Sequence, residues 1–414
     1  MNVLMGIVGI ITLITIAVLM SENRKAINIR TVVVAFLIQA SLGAFVLYIP
    51  AGQSVLEGIS GAVQAVIDSA QEGLNFLFGG LVGPKMFEVF GDGGFVFALR
   101  VLPIIIFFSS FIAVLYYLGI MQKIIAVLGG LLQKAMGTSR TESLSATANV
   151  FVGQTEAPLV VRPYIKGMTR SELFAVMVGG LASVAGSVLA GYASLGIELK
   201  YLVAASFMAA PGGLLMAKLM VPETDKPDNE LDDIEDENDE KPANVIEAAA
   251  SGASSGMQLA LNVGAMLLAF IGLIAVMNGL VGYIASLAGY DNITIQLILG
   301  YIFSPLAFLI GVPWHEAVQA GSFIGQKLVV NEFVAYIDFV NMKDSLSPHT
   351  QAIVTFALCG FANLSSIAIL LGGIGAMAPS RRNEIARLGL KAVAAGSLSN
   401  LMSATIAGLF LSFT

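Results

Sequence analysis

Apolar stretches of membrane-spanning length recur throughout this chain, and two further apolar pieces are too short to cross. That pattern constrains the fold more than any motif. A hydrocarbon core of about 30 Å needs about 20 apolar residues in helix. Residues 3–20, 31–50, 101–121, 173–195, 199–219, 244–287, 352–378 and 392–413 approach or exceed that length. Composition agrees: 57% of the residues are apolar and only 12% charged, against roughly 25% charged in soluble domains. The chain reads as an all-α polytopic membrane protein. One cysteine, Cys359, excludes an intrachain disulfide, and its apolar surroundings make it a packing residue. No basic patch with interleaved aromatics suggests nucleic acid.

Charge sets the orientation. Residues 223–241 hold eleven of the 28 acidic residues and contribute a net −9, so the rest of the chain carries +2. That run reads as a solvated tether between two halves. Between the first two spans, Arg24, Lys25 and Arg30 face only Glu22. The positive-inside rule makes this loop cytoplasmic and sends the N-terminus outward. The first span lacks a cationic leader and an A-x-A site, so it is expected to be retained. Over 54–78, Leu56, Ile59, Val63, Val66, Ala70 and Leu74 alternate at helical spacing with Glu57, Ser60, Gln64, Asp68, Gln71 and Asn75. This is an amphipathic helix, expected in the outer interface or packed on other protein.

The short pieces are the informative ones. Ser143–Val152 is ten residues, about 15 Å of helix, and Leu159–Lys166 is another fragment. Arg140 lies before the pair and Arg162, Lys166 and Arg170 follow, so both ends face the same side. A re-entrant hairpin with Gly-Gln-Thr-Glu-Ala-Pro at its tip fits. Irregular backbone at that depth needs protein or a water-filled cavity around it. The next span is broken up by Gly179, Gly180, Ser183, Gly186, Ser187 and Gly191. It reads as a helix interrupted at mid-membrane, or as close packing through small residues.

The same order then recurs. After the long helix 244–287 and an apolar stretch at 293–312, a second hairpin is predicted from Glu316 to about Val340, with Asn331-Glu332 between its arms. It precedes 352–378, whose middle is CGFANLSS, matching GGLASVAG at 179–186. Arg381, Arg382, Arg387 and Lys391 place the end of that span inside, and 392–413 crosses out, leaving the C-terminus external. The hairpins then enter from opposite sides. That is an inverted repeat with paired broken helices around a central site.

Glu156 and Glu332 stand at the two tips. An intramembrane carboxylate is a functional candidate because leaving it uncompensated costs several kcal/mol; each could also be a cap or helix-end partner. Gln154, Thr155, Glu156, Glu332, Asn363 and Ser366 offer amides, hydroxyls and carboxylates, with no Lys or Arg at the tips, although Lys327 falls in the second hairpin's first arm. An anionic substrate would want a cationic partner or a helix N-terminus. Carboxylates instead suit hydroxyl and N–H donors, and Phe361 adds a π-face. The chemistry points to a neutral, hydroxyl-rich, heteroaromatic solute.

GQTEAP at 153–158, NEFVAY at 331–336 and GFANLSSIAILLGG at 360–373 resemble the signature segments of the concentrative nucleoside transporters, bacterial branch. The resemblance covers essentially the whole chain, which like the bacterial form lacks the extra N-terminal helices of animal relatives. It implies eight transmembrane helices, two opposed re-entrant hairpins, interfacial helices, a homotrimer in the bacterial inner membrane with both termini periplasmic, and nucleoside uptake driven by a cation gradient. It implies scaffold helices over 1–121, a first repeat over 122–219, the acidic cytoplasmic loop over 220–243, a long scaffold helix over 244–287 and a second repeat over 288–414. Gln154, Thr155, Glu156 and Val188 resemble the nucleobase contacts, with Leu259 packing on the base. Glu332, Asn363 and Ser366 resemble the ribose contacts, with Phe361 nearby. The sodium site matches Asn149, Val152, Ser183 and Val184, largely through backbone carbonyls, which suit a hard cation. Proton coupling, and a cation-coupled carrier of another small solute, are the alternatives.

Rival motifs lack context. Gly-Ala-Ser-Ser-Gly at 252–256 has the G-x-S-x-G spacing but no strand–turn–helix around it. His315-Glu316 lacks the second histidine of a zinc motif, and Gly373, Gly375 and Ala378 mimic a dinucleotide fingerprint without a preceding strand. His315 and His349 read as loop or interface residues, and Trp314 as an interfacial anchor.

Overall fold

A computed structural model of the protein describes residues 2–228 and 242–413. Residues 229–241, most of the acidic tether, lie outside the described residues. Every regular element among the described residues is helical. The first part runs α1 (Asn2–Leu19), α2 (Ile29–Leu47), α3 (Pro50–Phe78), α4 (Lys85–Phe90), α5 (Phe97–Arg100), α6 (Leu102–Tyr117) and α7 (Ile120–Met136). Then come α8 (Arg140–Ala148), a 3-10 stretch at Ala157–Tyr164, α9 (Arg170–Ala182), α10 (Gly186–Ser194) and α11 (Leu199–Met220). The second part runs α12 (Val245–Leu287), α13 (Ile295–Leu309), α14 (Trp314–Val329), α15 (Glu332–Met342), α16 (Pro348–Leu358), α17 (Ser366–Gly372), α18 (Ile374–Met377) and α19 (Arg382–Leu411).

Polar residues at helix starts explain many of these boundaries. Ser139 and Glu142 form a capping box on α8, and Thr169 and Glu172 form one on α9. Asn331 caps α15, accepting from the Val334 N–H at 2.9 Å. Ser347 caps α16, with Pro348 in its first turn. Each cap stabilises its helix by about 1 kcal/mol.

Among the described residues six segments are both long and apolar enough to cross a membrane: Ile29–Leu47, Phe97–Tyr117, Arg170–Ser194, Leu199–Met220, Val245–Leu287 and Pro379–Leu411. Helices α13 and α14 together pass the same test but are bent by 116°, at a turn where Gly311 takes φ +107°. The stretch read as one span at 352–378 is interrupted over 359–365, so neither of its halves is long enough alone. Helix α19 begins ten residues before the apolar run expected at 392. Ile385, Leu388, Gly389 and Ala392 continue its buried face at helical spacing, and the core they pack on sets the helix length.

The centre of the molecule is built on α9 to α11 and α19. In both Arg170–Ser194 and Leu199–Met220, 94% of the apolar window is buried, against 22% for Ile29–Leu47 and 11% for Val245–Leu287. Helix α2 buries only one stripe: Thr31, Ala35, Gln39, Gly43 and Leu47. The stripe is small or polar because it crosses α19 closely: Gln39 Nε2 donates to Ser403 Oγ at 2.9 Å, and a Cβ at Gly43 would lie 2.7 Å from Ile406. The second half of the apolar face of α3 packs on protein, while Ile59 in the first half stays exposed. Its Ile67, Ala70 and Leu74 are buried with Ile104 and Phe108 of α6 and Ala190 of α10.

Two ionic clusters tie the chain's parts together. Buried Lys218 of α11 pairs with Glu142 of α8 and donates to Ser171 Oγ at 2.8 Å. Glu22, in the basic loop after α1, accepts from Arg170 and Lys391, each at 2.9 Å. Arg170 also approaches Glu384 at 3.4 Å. One loop carboxylate thus links the start of α9 to α19. The Arg170 guanidinium, hydrogen-bonded to Glu22, together with Lys391, holds that carboxyl down at about 2, against an ordinary 4.5. A depressed carboxyl contributes stability above its unfolded value and loses it as pH falls through its folded one. Glu22→Gln should therefore lower the melting temperature by a constant amount from pH 7 to about 5. The difference should shrink below about pH 4.5 and vanish near pH 2. Melting curves of both proteins in detergent across that range check this; a difference that grows on acidification contradicts the assignment.

Candidate functional site

The two interruptions and the two hairpin turns come together. Helix α9 ends at Ala182 because Ser183 is extended, φ −111° and ψ 176°, and α10 resumes at Gly186. Helix α16 ends at Leu358 and α17 resumes at Ser366. The breaks touch directly: the Phe361 N–H donates to the Ser183 carbonyl at 3.2 Å. The first hairpin's turn, 149–156, lies against the first break. The Gly186 N–H donates to the Phe151 carbonyl at 3.0 Å. A Cβ at Gly180 would lie 2.8 Å from Gln154 Cβ, and one at Gly179 would lie 3.2 Å from Asn149 Nδ2. Thr155 reaches the far end of the second broken helix, where a Cβ at Gly373 would meet its methyl at 3.2 Å. The second hairpin lies against the second break, the Leu364 N–H donating to the Leu328 carbonyl at 3.1 Å.

Glu332, 5% exposed, is the most fully engaged carboxylate of this centre. Its Oε1 accepts from the Tyr192 hydroxyl at 3.1 Å and its Oε2 from Asn363 Nδ2 at 3.0 Å. Asn363 Oδ1 in turn accepts from the Ser366 N–H at 2.9 Å and lies 3.0 Å from Ser366 Oγ. Glu332, Asn363 and Ser366 are therefore one bonded unit across two elements. Carboxylate oxygens offer about four lone-pair positions, so each still has capacity for a ligand hydroxyl. Glu156 differs. Its Oε2 accepts from the Gly153 N–H of its own turn at 2.5 Å, while the residue stays exposed. It closes the hairpin turn.

The remaining sequence-predicted residues divide by chemistry. Gln154 is buried, and its Oε1 has no hydrogen-bond partner. Asn149 is 1% exposed; its Nδ2 donates to the Ser145 carbonyl at 2.9 Å, and its Oδ1 is unpartnered. Val152, Ser183 and Val184 are buried beside it in the turn and the break. Phe361 is half-buried, and Val188 is buried one turn before Tyr192 on α10. Leu259 is half-buried on α12 against the main core and, being aliphatic, takes no part in the bonded set. Sequence reasoning missed Tyr192, whose ring packs 4.7 Å from Phe333 and 4.5 Å from Tyr336. It also missed Asn400, a buried amide within the apolar part of α19. The rule that intramembrane polar groups are functional candidates would have found the latter.

Long apolar helices surrounding a buried polar centre, built where two helix breaks meet two hairpin turns, define a polytopic membrane carrier. Family models described as the C-terminus and N-terminus of Na+ dependent nucleoside transporters match residues 201–408 and 8–81. A nucleoside-recognition "Gate" model matches 98–198. The nucleoside permease NupC of Helicobacter pylori is 54% identical over 99% of this chain and 98% of its own. An uncharacterized transporter of Haemophilus influenzae is 61% identical, with 99% and 98% covered. The structure of CNTnw in an inward-facing substrate-bound state is 63% identical, TM-score 0.96, over 100% of this chain and 99% of that one. The chain belongs to the concentrative nucleoside transporter family and is a multi-pass membrane transporter, not an enzyme.

Proposed function

We propose that the protein is a secondary active symporter that imports nucleosides, uridine-like pyrimidine and purine nucleosides alike, with sodium as the coupling ion. The observation that carries this reading is the Glu332–Asn363–Ser366 unit held in place by Tyr192. A fixed carboxylate–amide–hydroxyl set with spare acceptor capacity suits the vicinal hydroxyls of ribose, with Phe361 alongside. Gln154, Thr155, Glu156 and Val188 are assigned to the nucleobase, with Leu259 covering it from α12. The buried, unpartnered Asn149 Oδ1 and the turn and break backbone at Val152, Ser183 and Val184 suit a hard cation that needs oxygen ligands.

In this reading the hairpins α8 with Ala157–Tyr164, and α14 with α15, are re-entrant and enter from opposite faces, alongside eight spans. Residues 122–219 and 288–414 are the two repeats that alternate access, and 1–121 with 244–287 are scaffold. The thinly buried α12 lines the contacts of a homotrimer in the bacterial inner membrane, with both termini periplasmic. Uptake into proteoliposomes, with sodium and pH gradients imposed separately, tests the function. Uridine accumulation on a sodium gradient alone is expected. Accumulation on a proton gradient alone transfers the coupling to protons, and a carrier that ignores uridine overturns the substrate class.

A further inference from the structure

A charged group at this centre takes no part in the ribose, base or cation sites assigned above. Lys327, in the last turn of α14, is 2% exposed. Its ammonium donates to the Ala357 carbonyl at 2.8 Å and to Asn400 Oδ1 at 2.7 Å. Among the described residues no carboxylate pairs with it. Asn400 Nδ2 turns the other way and donates to the carbonyls of Ala182 at 2.6 Å and Cys359 at 2.9 Å. Those carbonyls stand at the C-terminal ends of α9 and α16. One amide thus joins the two interrupted helices, and one ammonium sits at the negative end of the second.

Burying an ammonium is costly, and the groups bonded directly to this one are neutral oxygens. Its ligands are the kind that hold a hard cation in an unwound membrane helix: amide oxygens from a helix end and a side chain. The first repeat offers the complementary picture. Asn149 C-caps the first arm of its hairpin, as Lys327 ends the first arm of the other. Asn149 lies against α9, the helix that precedes the first break, and its Oδ1 is buried without a donor. One break has a buried amide oxygen without a donor; the other has an ammonium surrounded by oxygens.

We propose that Lys327 is a tethered cation, filling in the second repeat the position that the mobile coupling cation takes in the first, so that one cation rather than two moves with each nucleoside. The proposal rests on the sodium-coupled reading above and adds to it why the second break needs no ion of its own. Lys327 acts here as a positioning residue: its charge holds the oxygens of the α16 end and Asn400, and through Asn400 the end of α9.

The test is sodium-dependent uridine binding by the purified full-length protein, followed by calorimetry, with sodium-dependent melting as an independent readout. Wild type should show a sodium dependence with a Hill coefficient of about one. Lys327→Gln keeps a donor of similar length but removes the charge. It should weaken uridine binding roughly tenfold or more at low sodium. Its sodium Hill coefficient should rise towards about two as a second ion enters the vacated position. A folded Lys327→Gln protein with first-power sodium dependence and near wild-type affinity overturns the proposal. If that variant does not fold, Lys327→Met decides, because it also removes the ammonium and leaves the Ala357 carbonyl and Asn400 Oδ1 without it. The same steepening supports the proposal, and an unchanged slope and affinity in folded Lys327→Met overturns it. A wild type whose uridine binding ignores sodium instead brings down the sodium reading itself, which the variants do not decide.

Discussion

Glu332→Gln should weaken uridine binding by one to two decades and leave 2′,3′-dideoxyuridine nearly unaffected. Hydrogen bonds to a charged group contribute roughly 1.5–3 kcal/mol, and a decade of affinity is about 1.4 kcal/mol. The wild-type carboxylate accepts from Tyr192 on one oxygen and Asn363 on the other. A glutamine must turn its NH2 towards one of these donors, so it loses acceptor capacity and disturbs Asn363 together with Ser366. The dideoxy ligand has no ribose hydroxyls to lose. Glu156→Gln should instead weaken both ligands by similar factors, because its assigned partner is the nucleobase. The turn itself should survive, since the amide oxygen can still accept from the Gly153 N–H. Titration of each purified variant with both ligands at fixed sodium separates the cases. The reverse pattern, or normal uridine binding by Glu332→Gln, contradicts the assignment of ribose and base to the two hairpins.

Replacing sodium with choline should lower uridine affinity by roughly 5- to 150-fold, the usual range of coupling between two sites. The structural basis is the shared turn at 149–156. Asn149 and Val152, assigned to the cation, and Gln154 and Thr155, assigned to the base, belong to one short non-helical stretch resting on α9. A cation that draws in the Asn149 amide oxygen and the turn's backbone fixes the residues that face the base. By linkage, uridine must raise sodium affinity by the same factor. Calorimetry of each ligand with and without the other measures both sides. Equal uridine affinity in sodium and choline removes sodium as the coupling ion and leaves the proton.

Most of the helical architecture is legible in the sequence because membrane burial is written in hydropathy. The turns at 149–156 and 330–331 are legible because a carboxylate set between apolar pieces too short to cross a bilayer marks a place where the helix gives way. Hydropathy starts α19 ten residues late because it marks only the continuous apolar run, whereas Ile385 and Leu388 extend the helix from between charged residues by packing inside the protein. The apolar face of α3 suits a membrane interface and a protein surface equally well, and its contacts with Ile104 and Phe108 show protein packing for its second half. Within the site, the polar residues near Glu156 and Glu332 are recognisable by local contrast. Tyr192 and Asn400 are not, since their roles depend on partners far along the chain: Tyr192 on Glu332, 140 residues away, and Asn400 on Ala182, 218 residues away. No local periodicity records such pairings.

The close fit of the first hairpin's turn on the broken helix bears on slippage. Gly180 leaves no room between α9 and Gln154, and the Phe151 carbonyl is bonded to the start of α10. If the turn cannot slide on the break, the cation and base contacts must change their exposure to the two compartments as one body. Both sites would then face the same compartment at every stage. The efficiency of such a pump would depend less on how tightly it binds either solute than on the missing methyl group at residue 180.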